Sequence, residues 1–222
     1  MYKLYDLSHV IDPKNAPRKF HVETIGADTV NHNVVRLEGQ WYIMSDITMV
    51  SHIGTHIEMP YHLFPDGADL ATIDINTLCG PAVLLSLKNV PAGEPITVLR
   101  LEEAIARAGG IRPGDVVVCN LGYSDKYGTG EYSKSPYFTP EAIKLLVDSG
   151  MKLMAVDAGG VEVPRSEEHV NHIQLLEKNI CLIENAAHLD DLPTDHFYLT
   201  AFPIPVAGVE SFPVRVVAYV EE

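Results

Sequence analysis

The sequence predicts an α/β fold in which a mixed sheet carries helices packed on it. Three observations point there. Residues 115–121, 152–157 and 180–184 are short apolar runs of strand length, bounded by turn and polar residues. Helical patterns lie between them. A strand pairing parallel with its predecessor needs a crossover of about a dozen residues or more, usually a helix, so strand, helix, strand, helix, strand reads as a parallel sheet segment.

Taken in order, the first ninety residues read as an additional β-rich portion. Residues 34–37, 41–50 and 81–87 carry β-branched or aromatic residues between Gly and Pro punctuation and are expected to be strands. After the strand at 115–121, Thr139-Pro140-Glu141 supplies an N-cap, an N1 proline and an acidic first turn for a helix that Gly150 stops. The strand at 152–157 follows, then a helix from Ser166 to about Asn179 and the strand at 180–184. Residues 197–206 and 213–220 close the chain as two more strands. With no internal repeat or long linker, residues 1–222 are expected to form one domain.

A formal charge of −14 with only 16 Lys and Arg leaves no basic patch for nucleic acid or an anionic membrane. The partner expected is a small-molecule substrate. Cys79, Cys119 and Cys181 sit in apolar runs without CxxC spacing, as buried thiols do in a reducing compartment. No run is apolar enough for a signal core or a span, so the cytoplasm is the expected location.

The densest chemistry lies in Ser51-His52-Ile-Gly-Thr-His56-Ile-Glu58-Met-Pro-Tyr-His62, where three imidazoles and a carboxylate fall within eleven residues from His52 to His62. Neutral imidazole and carboxylate are donors that zinc, manganese and iron(II) accept, and His52, His56 and Glu58 form a three-ligand set with open coordination positions. All four side chains occupy even positions. A flat strand would hold the Cα atoms of His52 and His56 about 13 Å apart, too far to converge on one ion, so the chain must bend. Gly54 can adopt the torsions of a turn, and Pro60 cannot continue a central ladder. A helix is the weaker choice through Gly, β-branched residues and Pro, and the plain alternative is a polar strand face with solvated histidines. Farther along, His169 and His172 are three apart on the expected helix, and Glu184 ends an apolar strand, where a carboxylate needs a positive neighbour or solvent.

The run from His52 to His62 resembles the HxGTHxDxPxH signature of the cyclase family of metal-dependent hydrolases, which includes bacterial kynurenine formamidase and isatin hydrolase. The resemblance extends along nearly the whole chain: Asp6-Leu7-Ser8, the segment from Gly114-Asp115 to Gly122-Tyr123, His172 followed twelve positions later by Glu184, then Pro203 and Ser211-Phe-Pro213-Val-Arg215. It implies a swivelling β/β/α fold, a site for one or two divalent ions, zinc or manganese, and a homodimer or homotetramer. It also implies that His52, His56 and Glu58 bind a first metal, that Glu58, His172 and Glu184 bind a second, and that His62 is the general acid/base. The activity implied is hydrolysis of an amide or cyclic amide C–N bond, with arylformamidase action on N-formylkynurenine in tryptophan catabolism as the leading form. An isatin-hydrolase-like cyclic amidase and a non-haem iron oxygenase using the same ligands are the rivals.

Two departures stand out. Glu58 replaces the usual aspartate, which leaves the number of ions open. Arg18 stands where kynurenine formamidases offer an aromatic residue to the substrate ring, with Phe20 two positions on; both are candidate substrate-binding residues. The Gly- and Tyr-rich stretch 122–136 fits no nucleotide loop and reads as a lid, an oligomer contact or a plain loop, and no GxSxG is present for a serine hydrolase.

Overall fold

A computed structural model describes residues 1–222. In chain order the elements are β1 (Tyr2–Asp6), β2 (Phe20–Gly26), α1 (Ala27–Val30), β3 (Ile43–Met49), β4 (His56–Glu58), β5 (Cys79–Ser86), β6 (Pro95–Ile96) and α2 (Val98–Arg107). There follow β7 (Val116–Asn120), β8 (Tyr137–Phe138), α3 (Pro140–Asp148), β9 (Leu153–Val156), α4 (Val170–Leu176), β10 (Cys181–Glu184), β11 (His196–Ala201), β12 (Ser211–Pro213) and β13 (Val216–Glu221). Nine strands form one mixed sheet in the order β1-β13-β11-β5-β7-β9-β10-β4-β12. The centre, β5-β7-β9-β10, is parallel, and both flanks are antiparallel.

Strand periodicity explains the layers. Val83 and Leu85, Val117 and Cys119, and Met154 and Val156 point to one face, where Leu101 of α2, Ile143 and Leu146 of α3 and Leu175 of α4 cover them. Their alternates, Ala82 and Leu84, Val116 and Val118, and Leu153 and Ala155, meet Ile57, Leu199, Val216 and Ala218 from both flanks of the same sheet. The sheet therefore curls around this second core. Leu7 ties the curl: its N–H donates to Val216 at 2.9 Å and its carbonyl accepts from Ala187 at 2.9 Å. The α/β class and the mixed, helix-covered sheet are as expected from the sequence. No helix is long and apolar enough to cross a membrane.

Several local expectations change. Residues 34–37 are not a strand but a largely exposed loop between α1 and β3, with Val35 and Leu37 out in solvent. α2 went unread, although Thr97 caps it by accepting the Arg100 N–H. The Ser166 helix starts late, at Val170, because Arg165 (φ 64°) and His169 (φ 49°) adopt left-handed backbone that cannot join a right-handed helix. The strand expected at 197–206 ends at Ala201, before Pro203 and Pro205, and the one at 213–220 is split into β12 and β13.

Candidate metal centre

The bend in the opening segment is real. Gly54 sits at φ 62°, and the turn aims its carbonyl at His56, whose ring Nδ1 donates to it at 2.9 Å. Asn185 Nδ2 donates to the same carbonyl at 2.8 Å, and the Gly54 N–H donates to the Tyr127 hydroxyl at 2.9 Å. With Nδ1 held, His56 presents Nε2 to the site. Beyond the turn, β4 alternates: Ile57 faces the core, while His56 and Glu58 share the other face. Pro60 then opens a single 3-10 turn in which the His62 N–H reaches Met59 at 2.9 Å, bringing that ring back to the cluster.

The sheet imports the distant residues. β10 pairs antiparallel with β4, setting Glu184 directly opposite His56. His172 arrives from the first turn of α4, where its otherwise unbonded backbone N–H donates to Glu162 Oε1 at 2.8 Å. The same oxygen lies 2.9 Å from His172 Nδ1, so this ring too presents Nε2.

Glu58 is the hub. Its Oε1 is 2.8 Å from His52 Nδ1 and 3.6 Å from His56 Nε2, while its Oε2 is 3.4 Å from His172 Nε2. Glu184 lies 3.4 Å from His56 Nε2 and 3.6 Å from His172 Nε2. Two donor groups result, His52–His56–Glu58 and Glu58–His172–Glu184, each with its ligand atoms within 4.8 Å of one another. One carboxylate serves both.

These residues fit a divalent cation. His56 Nε2 and Glu58 Oε2 are buried without a hydrogen-bond partner, a costly condition for polar atoms unless something else satisfies them. Separations of 3.4 to 3.6 Å among the donors are too long for good hydrogen bonds. They match the roughly 3.3 Å between two atoms that each lie about 2.0–2.1 Å from one tetrahedral ion. Nitrogen and oxygen donors suit zinc, manganese or iron.

Electrostatics agree with a site built for positive charge. Burial depresses the His56 imidazolium, but Glu184 and Glu58 outweigh it and lift its pKa to about 9. Burial acts likewise on His172, yet Glu162, Glu184 and Glu58 raise it to about 11. Burial would raise Glu58 and Glu184, and Glu58 further raises Glu184, but the facing imidazoles hold both carboxyls below the ordinary glutamate range. His62 behaves oppositely: half-buried, and with His52 and His172 nearby, it is shifted below the usual imidazole value despite Glu58. Its ring centroid is 4.7 Å from that of His52 and 6.4 Å from that of His172. Its shift is opposite in direction to those of His56 and His172.

A cavity of about 570 Å³ opens onto His52, His172 and Glu184, with His56 and Glu58 buried behind them. Most of its lining residues are polar. Arg18, expected as a substrate contact, lines it and donates to the His52 carbonyl at 2.7 Å. Phe20 does not: it begins β2, paired opposite Met49, away from the cavity. His169 lies outside α4, so it does not share a helical face with His172, yet it too borders the cavity. His62 approaches the cluster from beside the cavity rather than from its lining. Residues 122–136 form part of the wall, anchored by Tyr127 on Gly54 and by Tyr132, whose hydroxyl donates to Asn185 Oδ1 at 2.5 Å.

Three residues escaped the sequence reading: Glu162, which meets His172 Nδ1, Glu210, 3.2 Å from His52 Nε2, and Asn185, which holds the Gly54 turn. Asn185 directly follows Glu184, the one available signal. The Cyclase family model matches residues 5–163, more than half of the chain. The chain belongs to the Cyclase family. Among curated proteins it is 26% identical over 175 residues to kynurenine formamidase of Delftia acidovorans, covering 78% of each chain. It is 27% identical over 177 residues to kynurenine formamidase of Bacillus cereus, covering 77% of each. Isatin hydrolase A from Labrenzia aggregata superimposes with a TM-score of 0.83 at 23% identity, across 100% of this chain and 94% of that one. An isatin hydrolase bound to thioisatinate gives a TM-score of 0.85 at 20% identity, across 100% and 93%. These two likenesses establish the swivelling β/β/α architecture of this Cyclase chain.

Proposed function

We propose that this Cyclase chain is a metal-dependent hydrolase that cleaves the amide or cyclic amide C–N bond of a small molecule, with an aryl formamide such as N-formylkynurenine as the leading substrate. The observation that carries the reading is the Glu58 carboxylate, which faces His52 and His56 with one oxygen and His172 with the other, beside an open cavity. The formamidase form is supported by the curated relatives, and the polar cavity with Arg18 at its edge supports a substrate bearing a carboxylate.

His52, His56 and Glu58 would hold one zinc or manganese ion, and Glu58, His172 and Glu184 a second. When bound, such an ion acidifies a coordinated water toward neutral pH and polarises the carbonyl. His62, kept neutral by burial and neighbouring imidazoles, accepts a proton from the attacking water and returns it to the departing nitrogen. Glu162 and the Gly54 carbonyl hold the rings of His172 and His56 in the tautomer that leaves Nε2 free.

Metal analysis of the purified protein, followed by hydrolysis of N-formylkynurenine, isatin and other cyclic amides under zinc and manganese, tests the proposal. Cleavage of an amide that EDTA abolishes and metal restores is expected. Metal-loaded protein that cleaves none of these amides would overturn it.

A further inference from the structure

His56 and His172 each have one ring nitrogen pinned by a fixed oxygen, from Gly54 and Glu162 respectively. His52 is placed differently. It lies in a bend before the Gly54 turn, outside any strand or helix, so regular backbone does not restrain its ring. On the side away from Glu58, its Nε2 meets Glu210 Oε1 at 3.2 Å, and that same oxygen accepts the Ser51 hydroxyl at 2.5 Å. Glu210 is itself delivered by strand register. Its carbonyl accepts the Met59 N–H at 2.8 Å, and its neighbour Ser211 stands opposite Glu58 in the β12–β4 pair.

We infer that Glu210 is a positioning residue for His52: by accepting the Nε2 proton it fixes the tautomer whose Nδ1 lone pair faces the metal centre, with Ser51 holding the carboxylate in place. A histidine that binds a cation through one nitrogen commonly donates from the other to a carboxylate, and losing that partner weakens metal binding about 10–100-fold. His52 therefore uses Nδ1 where His56 and His172 use Nε2. The inference rests on the reading of His52 as a metal ligand.

Cobalt(II) titration followed by visible absorption tests it on wild type, Glu210→Ala, Glu210→Gln and Ser51→Ala. Thermal melts in EDTA check that each variant folds. Glu210→Ala should bind cobalt about 10–100-fold more weakly with unchanged band positions. Glu210→Gln, which keeps an acceptor oxygen without the charge, should recover most of that loss, and Ser51→Ala should fall between. Wild-type affinity in Glu210→Ala, equal losses in Glu210→Ala and Glu210→Gln, or a changed band pattern indicating a lost ligand would each overturn the positioning role while leaving the metal site standing. Failure of the wild type to bind cobalt, zinc or manganese would instead overturn the metal reading itself, and this inference with it.

Discussion

Stripping the metal should reverse the usual dependence of stability on pH. With no cation bound, the facing carboxylates push His56 up to about 9 and His172 up to about 11 in the folded protein, against about 6.5 for an unfolded histidine. Both values are raised. Their stabilisation is therefore complete below about pH 6.5 and is lost as pH climbs through the folded values. Around pH 8 the folded chain holds nearly two protons that the unfolded chain has released, and each contributes about 1.4 kcal/mol per pH unit. Unfolding free energy should then fall by roughly 2 kcal/mol per pH unit around pH 8, a large share of the roughly 5–15 kcal/mol typical of a folded protein. Glu58 and Glu184, shifted the other way, contribute above the ordinary glutamate range and lose their effect in acid. His9, pushed down to about 4 by burial and His188, and the likewise lowered His62 weaken the fold below the ordinary histidine value, so the EDTA-treated protein should be most stable near about pH 6 to 7. Urea unfolding in EDTA at about pH 5.5, 6.5, 7.5 and 8.5 measures this slope directly, by far-ultraviolet circular dichroism because Trp41 is 82% exposed and a poor reporter. Saturating zinc or manganese, which needs neutral imidazoles, should flatten or invert the slope. Stability that stays level or rises from about pH 6.5 to 8.5 in EDTA would refute the reasoning.

His62→Ala should retain metal, measured by elemental analysis, and lose turnover by about 10²–10⁴-fold; retained turnover would remove this imidazole from proton transfer. Gly54→Ala forces a left-handed alanine, at about 1–2 kcal/mol, and sets a Cβ 2.6 Å from Ile11 Cγ1. A melting temperature lower by roughly 2–8 °C in calorimetry is expected. Glu58→Asp withdraws the carboxylate by one methylene from partners at 2.8 Å (His52) and 3.4 Å (His172), so ion stoichiometry or affinity should drop in calorimetric titration. Unchanged binding would show that β4 shifts to compensate.

Much of the centre was legible because it is local. Three imidazoles, a carboxylate, Gly54 and Pro60 lie within eleven residues, and the distance argument against a flat strand needed only the rise per residue. The turn at Gly54 and the 3-10 turn at Pro60 are the bends that argument required. Strands buried on both faces, such as β7 and β9, were equally plain from their unbroken apolar runs. What failed depended on context. Residues 34–37 have strand-like composition yet lie in a largely exposed loop, and the left-handed torsions at Arg165 and His169 that delay α4 occur at non-glycine residues, where they are uncommon.

The residues that orient the histidines were illegible for a related reason. A metal ligand must offer one of a few donor types, so its chemistry marks it wherever it stands. An orienting group needs only an oxygen at the right place, and here those oxygens come from a glycine carbonyl, an exposed-looking glutamate in a loop and a glutamate beside a β-strand. Their identity follows from register: β12 aligned on β4 sets Glu210 beside His52, and the packing of α4 sets Glu162 under His172. Substrate preference is encoded at the same level, since the cavity wall is assembled from separate loops around Arg18, Tyr127, Arg165 and His169. The chemistry of the centre is therefore written in a motif, while its tuning and selectivity are written in the pairing of strands and the paths of loops.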